Sequence, residues 1–175
     1  AAELENFVSK GGKLIVDGLT AFFDENLHNT MKTGFAFGKL FGGNISEFKL
    51  VDNLFATTID GISLPSHLWR GYIIPAAGKS IATSEGRSIA VRNKFGGGEV
   101  LWIPSLIGLG KRKKKDYSAL AAFLEDELKE SILNVPIRFE KIQNNVLMKT
   151  LKSSNTLITV LVNKSTTEKS ITLSV

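Results

Sequence analysis

The chain has 175 residues, 43% of them hydrophobic and 22% charged, enough to bury one core and a small satellite. Its formal charge of +5 is accounted for by the single run Lys111-Arg112-Lys113-Lys114-Lys115, so the rest is balanced and no basic face of the kind that grips a nucleic-acid backbone is expected. Cysteine is absent, which removes disulfides, thiolate metal sites and cysteine nucleophiles and leaves the redox compartment open.

In chain order, Leu4, Phe7 and Val8 fall on one helical face and Gly11 supplies a stop, so the chain opens inside a helix and reads as cut from something longer. Lys13 to Val16, ending at Asp17-Gly18, has the pattern of a buried parallel strand whose carboxyl end opens into a loop, Leu19 to Thr33. That loop holds Phe22, Phe23, Asp24, Glu25 and His28. A short helical stretch, Phe35 to Phe41, closes at Gly42-Gly43. Two β-prone runs, Ile45 to Val51 and Leu54 to Ile62, flank Asp52-Asn53 and predict a hairpin. Pro65 to Gly78 reads as irregular and carries His67, Trp69 and Tyr72. Three more strands follow, Ser80 to Thr83, Ser88 to Asn93 and Glu99 to Pro104, the last two joined by Gly96-Gly97-Gly98.

The lysine run reads as a solvated loop. From Asp116 to Ile132 the period changes to 3.6, with Leu120, Phe123, Leu124, Leu128 and Ile132 in a stripe, Asp116 or Ser118 as cap, and Asn134-Val135-Pro136 as the end. Beyond it only strands are expected: Ile137 to Ile142, Val146 to Lys152, Leu157 to Val162 and Ser170 to Val175. The division predicted is residues 1–133 as an α/β domain and 134–175 as a small antiparallel β unit packed on it.

The chemistry-bearing patterns mostly fail on spacing. Gly11-Gly12-Lys13 is followed by Leu14 where a phosphate loop needs Ser or Thr, and Gly96-Gly97-Gly98 joins strands instead of opening a helix. His28 and His67 have no neighbouring ligand pattern, so neither a metal nor another cofactor is expected. Ser105 lacks the glycine bracket of a nucleophile elbow. Asp24-Glu25 is the one adjacent carboxyl pair in a cleft loop, but sequence neighbours point apart where glycoside cleavage needs two carboxyls facing one sugar. Trp102, within a strand, reads as core. Trp69 and Tyr72 beside His67 are candidates for a ring face that stacks on sugar or fills an interface.

The order of motifs Phe7-Val8-x-x-Gly11-Gly12-Lys13-Leu14-Ile15-Val16, Phe23-Asp24-Glu25, Gly34-Phe35 to Leu40-Phe41-Gly42 and a glutamate-bearing strand at Glu47 resembles the trimerisation domain that follows the catalytic barrel in family 42 β-galactosidases. Ser88 to Asn93, Gly96 to Gly98 and Val100 to Ser105 resemble that domain's closing strand pair. The resemblance covers about residues 4 to 110. It implies a flavodoxin-like, glutamine-amidotransferase-like α/β sheet without the amidotransferase nucleophile, here expected to lack the first strand and helix upstream. It also implies an upstream catalytic barrel in the same polypeptide and a homo-oligomer, and it carries no catalytic residue onto this chain. A soluble accessory module is the expectation, with a periplasmic or secreted parent left open, no membrane partner and no nucleic acid. The alternative is a carbohydrate-binding module using exposed aromatics. Candidate sugar or interface contacts are Phe23, Asp24, Glu25, His67, Trp69 and Tyr72.

Overall fold

The structure, a computed structural model, describes residues 2–31, 35–133, 135–141 and 143–175. The Lys32-Thr33 end of the predicted loop, Gly34 of the motif after it, the Asn134 helix stop and the Ile142 strand end lie outside these residues. The chain divides into two compact units, Ala1–Leu124 and Glu125–Val175. Among the described residues no helix is long and apolar enough to cross a membrane, which says nothing of a β-barrel.

The first unit is an α/β fold. Its elements are α1 (Ala2–Ser9), β1 (Lys13–Asp17), α2 (Gly38–Phe41), β2 (Gly43–Ile59), β3 (Ile62–Pro75), β4 (Lys79–Ser84), β5 (Arg87–Phe95), β6 (Gly98–Ile103), α3 (Ile107–Lys114) and the start of α4 (Ser118–Leu133). The sheet order is β1-β6-β5-β3-β2, with β4 on β5. β1 runs parallel to β6, Val16 opposite Trp102, while the other pairs are antiparallel. This is the flavodoxin-like mixed sheet that the motif order implies.

Alternation along β6 divides the core in two, because successive side chains leave a strand on opposite faces. Val100 and Trp102 enter one cluster with Val8, Val16, Phe22, Phe35, Leu40 and Phe41. Leu101 and Ile103 enter the other with Ile59, Leu64, Tyr72, Ile107 and Phe123. Helices therefore lie on both faces of the sheet, and Trp102 is fully buried, as its strand position implies.

Three expectations are corrected. Ile45 to Ile62 is not a hairpin, and of the segment Pro65 to Gly78, read as irregular, 65 to 75 is strand: β2 is one long strand paired along its length with β3. Asp52-Asn53 does not turn the chain but is absorbed where the register shifts between Val51 and Phe55, a bulge that adds residues to one strand without ending it. The turn falls at Asp60-Gly61, both at positive φ, the geometry a two-residue hairpin demands. The lysine run, expected as a solvated loop, forms the last turns of α3, and Lys111 is fully buried.

In the second unit, where one antiparallel unit is expected, the strands form two separate ladders among the described residues. β7 (Arg138–Phe139) pairs with β10 (Leu173–Ser174), and β8 (Val146–Lys152) with β9 (Leu157–Asn163). Ile132, Val135, Ile137, Phe139 and Met148 line a groove of about 580 Å³ here.

Candidate functional site

The carboxyl end of β1 opens into residues 19–31, braced from within by Asp24. One carboxylate oxygen of Asp24 accepts the backbone N–H groups of Asn26 at 2.9 Å and His28 at 2.8 Å. Its carbonyl accepts the Leu27 N–H and its own N–H donates to the His28 carbonyl, each at 3.0 Å. An aspartate that satisfies its own loop in this way fixes backbone shape. Around it Phe22 is buried, while Phe23 and Glu25 are exposed. Leu27 sits at the tip, 79% exposed, with φ of 62°. The adjacent carboxyls Asp24 and Glu25 thus do different things: one holds the loop and the other faces solvent.

Below this loop, Asp17 ends β1 against the start of α3. Burial pushes its carboxyl up, and a hydrogen bond from the Gly108 N–H pulls the other way. His67 pairs its backbone with Leu106 and lies under α3, its Nε2 2.9 Å from the Lys113 ammonium. Lys111 and the Ser105 hydroxyl are buried with no hydrogen-bond partner among the described residues, and burial pushes the Lys111 ammonium down.

His67, Trp69 and Tyr72, close in sequence, are not brought together. Alternation along β3 sends Trp69 toward Phe48, ring centroids 6.2 Å apart, and Phe48 meets Phe22 at 4.3 Å. Through Phe35 the rings continue to Trp102, so half-buried Trp69 is the outer end of an aromatic ladder rooted in the core. Tyr72 points to the opposite face and is fully buried. The Arg87 guanidinium covers its ring at 3.5 Å, and its hydroxyl donates to Glu85 at 3.0 Å.

Glu85 itself is a feature the sequence reading missed. Its carboxylate takes Lys49 at 3.0 Å, Arg70 at 3.5 Å and Arg87 at 3.3 Å as well as Tyr72, while Arg87 also binds Glu47. The Lys49 hydrogen bond first, then that from Tyr72, hold its carboxyl below the usual range. The available signal was Glu85-Gly86 between two strand runs, which marks a tight turn.

These groups brace loops and join strands, and what they leave outward is apolar surface at Phe23, Leu27 and Leu50. A family model described as the β-galactosidase trimerisation domain matches residues 1–132. The chain belongs to that family. A trimerisation domain is an oligomerisation module, non-catalytic in itself, and the expectation drawn from the motif order is borne out.

The fold of this trimerisation domain recurs in solved structures. A β-galactosidase from Bacillus circulans sp. alkalophilus matches with a TM-score of 0.66 at 16% identity, covering 93% of this chain and 24% of that one. The cold-adapted β-galactosidase from Rahnella sp. R3 gives 0.63 at 15%, covering 93% and 25%. The enzyme from the Antarctic haloarchaeon Halorubrum lacusprofundi gives 0.59 at 18%, covering 84% and 22%. The domain thus spans about a quarter of the length of these proteins. At such identities the likeness is one of fold. A search of curated proteins by sequence finds no match.

Proposed function

We propose that this domain assembles a family 42-type glycoside hydrolase, holding an upstream catalytic barrel of the same polypeptide in a homo-oligomer while the barrel hydrolyses β-galactosides. The observation that carries the reading is the family match over residues 1–132, which takes in the whole first unit. The assembly contacts are assigned to the exposed side chains of the braced loop, Phe23, Glu25 and Leu27, and to Leu50 beside Trp69 on the β2–β3 ribbon. Apolar groups held outward on a rigid frame associate by losing their hydration, with polar neighbours setting orientation.

The test is light scattering on the complete polypeptide of which this domain is part, with and without residues 1–133, alongside hydrolysis of a chromogenic galactoside. The expected result is a trimer that falls to monomer on deletion. A monomeric intact polypeptide, or a trimer that survives the deletion, would overturn the assembling role. No turnover of any β-galactoside by the intact polypeptide would overturn the activity.

A further inference from the structure

The long strands β2 and β3 pair with each other over most of their length, but their attachment to the rest of the sheet is narrow. Among the described residues β3 meets β5 in one register pair, Ile73 opposite Ser88. Farther along, the ribbon is anchored by Ile59 and Leu64 in the core and by α3, where His67 bridges Leu106 and Gly110 closes on Pro65. The stretch between, Glu47 to Val51 with Leu68 to Tyr72, depends on its side chains for its hold on the sheet.

Polar side chains from both of its strands converge on one carboxylate. We propose that Glu85 is a latch that fixes this stretch of the β2–β3 ribbon against the β4–β5 hairpin, beside the Ile73–Ser88 pair. The latch has a donor from each strand of the ribbon: Lys49 from β2, and Arg70 and Tyr72 from β3. Glu47 of β2 extends the join through Arg87 at the start of β5. Among the described residues Lys49, Arg70, Tyr72 and Arg87 engage Glu85 directly, and Glu47 joins them through Arg87. A lone exposed ion pair contributes little, but here five side chains from three elements share one network.

The backbone gives a second, independent reason. Glu85 and Gly86 occupy the two central positions of the β4–β5 turn with φ of 54° and 72°. Such a turn favours Asn-Gly, Asp-Gly or Gly-Gly, and a residue with a long side chain is strained in the left-handed region. The chain keeps a glutamate there against its local preference. Asparagine would suit the turn better but lacks the reach and the charge to engage the donors. Residues that break a local rule mark places where another requirement wins, and here that requirement is the carboxylate. Because the Lys49, Glu47, Glu85 and Arg87 side chains of the network reach solvent, salt weakens the latch.

The experiment is amide hydrogen exchange on the full 175-residue chain, comparing the native protein with Glu85→Gln and Glu85→Asn. The latch predicts several-fold faster exchange for amides of Glu47 to Val51 and Leu68 to Tyr72 in both variants. Amides of Asn93 and of Val100 to Ile103, in β5 and β6, should be unchanged. About 1 M salt should move the native protein the same way. Unchanged ribbon rates would overturn the proposal, and so would an equal rise in β5 and β6, which would mean general destabilisation. Acceleration in only one of the two variants would also overturn it, since neither can supply the carboxylate.

Discussion

Lys111 is the residue at which burial and charge conflict most directly. Its side chain is fully buried and its ammonium has no hydrogen-bond partner among the described residues, so the charged form loses hydration without compensation. Burial, the leading cause, places its folded pKa below the ordinary lysine value of 10.5, with the Asp116 charge opposing and the Lys114 charge adding. The unfolded chain therefore binds more protons between the two values, and folding is disfavoured below that window. Stability should rise with pH as the folded pKa is passed and level off above 10.5. Lys111→Met keeps the volume and removes the charge. It should stabilise the fold at neutral pH by about 1 kcal/mol or more, roughly 2–4 °C in melting temperature, and flatten the alkaline slope. Thermal melts across pH for both proteins check this.

Asp17 carries the same conflict with the opposite sign. Its carboxyl is raised by burial, so its favourable contribution is complete below its ordinary value of 3.8 and is lost as pH rises through the folded pKa. Asp17→Asn keeps an oxygen for the Gly108 N–H and removes the buried charge, so the melting temperature at pH 7 should rise.

At the scale of elements, α3 shows how closely a helix can approach a strand when one position lacks a side chain. A Cβ at Gly110 would lie 2.1 Å from the Pro65 carbonyl oxygen and 2.6 Å from Ser66 Cα, both backbone atoms that cannot turn aside. Gly110→Ala should cost about 1–3 kcal/mol through overpacking, measurable by urea denaturation. At the start of α4 the Asp116 carboxylate accepts the Ser118 hydroxyl at 2.6 Å and its N–H at 3.0 Å, and these hold its pKa down to about 2. That contribution is present above pH 3.8 and lost as pH falls through about 2. Asp116→Ala should therefore speed amide exchange in the first turn of α4 at neutral pH, and the difference from the native protein should vanish in acid.

The same elements show what can be read from a sequence and what cannot. The parallel strand at Lys13, the buried Trp102 and the helix after Asp116 are legible because local pattern and tertiary surroundings agree. The long β2–β3 ribbon is not, because its signals are misleading. Asp52-Asn53 has the composition of a turn, yet a bulge accommodates it, and Pro65 suggests a break in what is a paired strand. In the lysine run five charges suggest solvent, but three-dimensional packing sets Gly110 against β3, buries Lys111 and leaves the neighbours outside. Of the candidate contacts, the exposure of Phe23 follows from the loop. The separation of Trp69 from Tyr72 follows only once 65 to 75 is known to be a strand, whose alternation sends them to opposite faces.

At the scale of the molecule, the two units differ in how much apolar surface each buries. The first has two core clusters on either side of one sheet. In the second, the register of β8 and β9 places Leu147, Leu151, Ile158, Val160 and Val162 on one face of a two-stranded ladder, and all five are exposed. A two-stranded sheet is marginal in water without a partner for its apolar face, so the second unit should unfold before the first when the chain is studied alone. The sequence supplies a built-in reporter. Trp69 and Trp102, the chain's two tryptophans, both lie in the first unit, so their fluorescence follows that unit, whereas far-ultraviolet circular dichroism follows both. In a urea titration the dichroism should begin to fall at lower denaturant than the fluorescence, because different probes of a two-state transition must coincide and these would not. Leu151→Thr and Val160→Thr should leave the fluorescence midpoint in place, since neither side chain belongs to the clusters of the first unit. Coincident transitions would mean that the exposed face is too small to uncouple the units, and that the chain folds as one cooperative body.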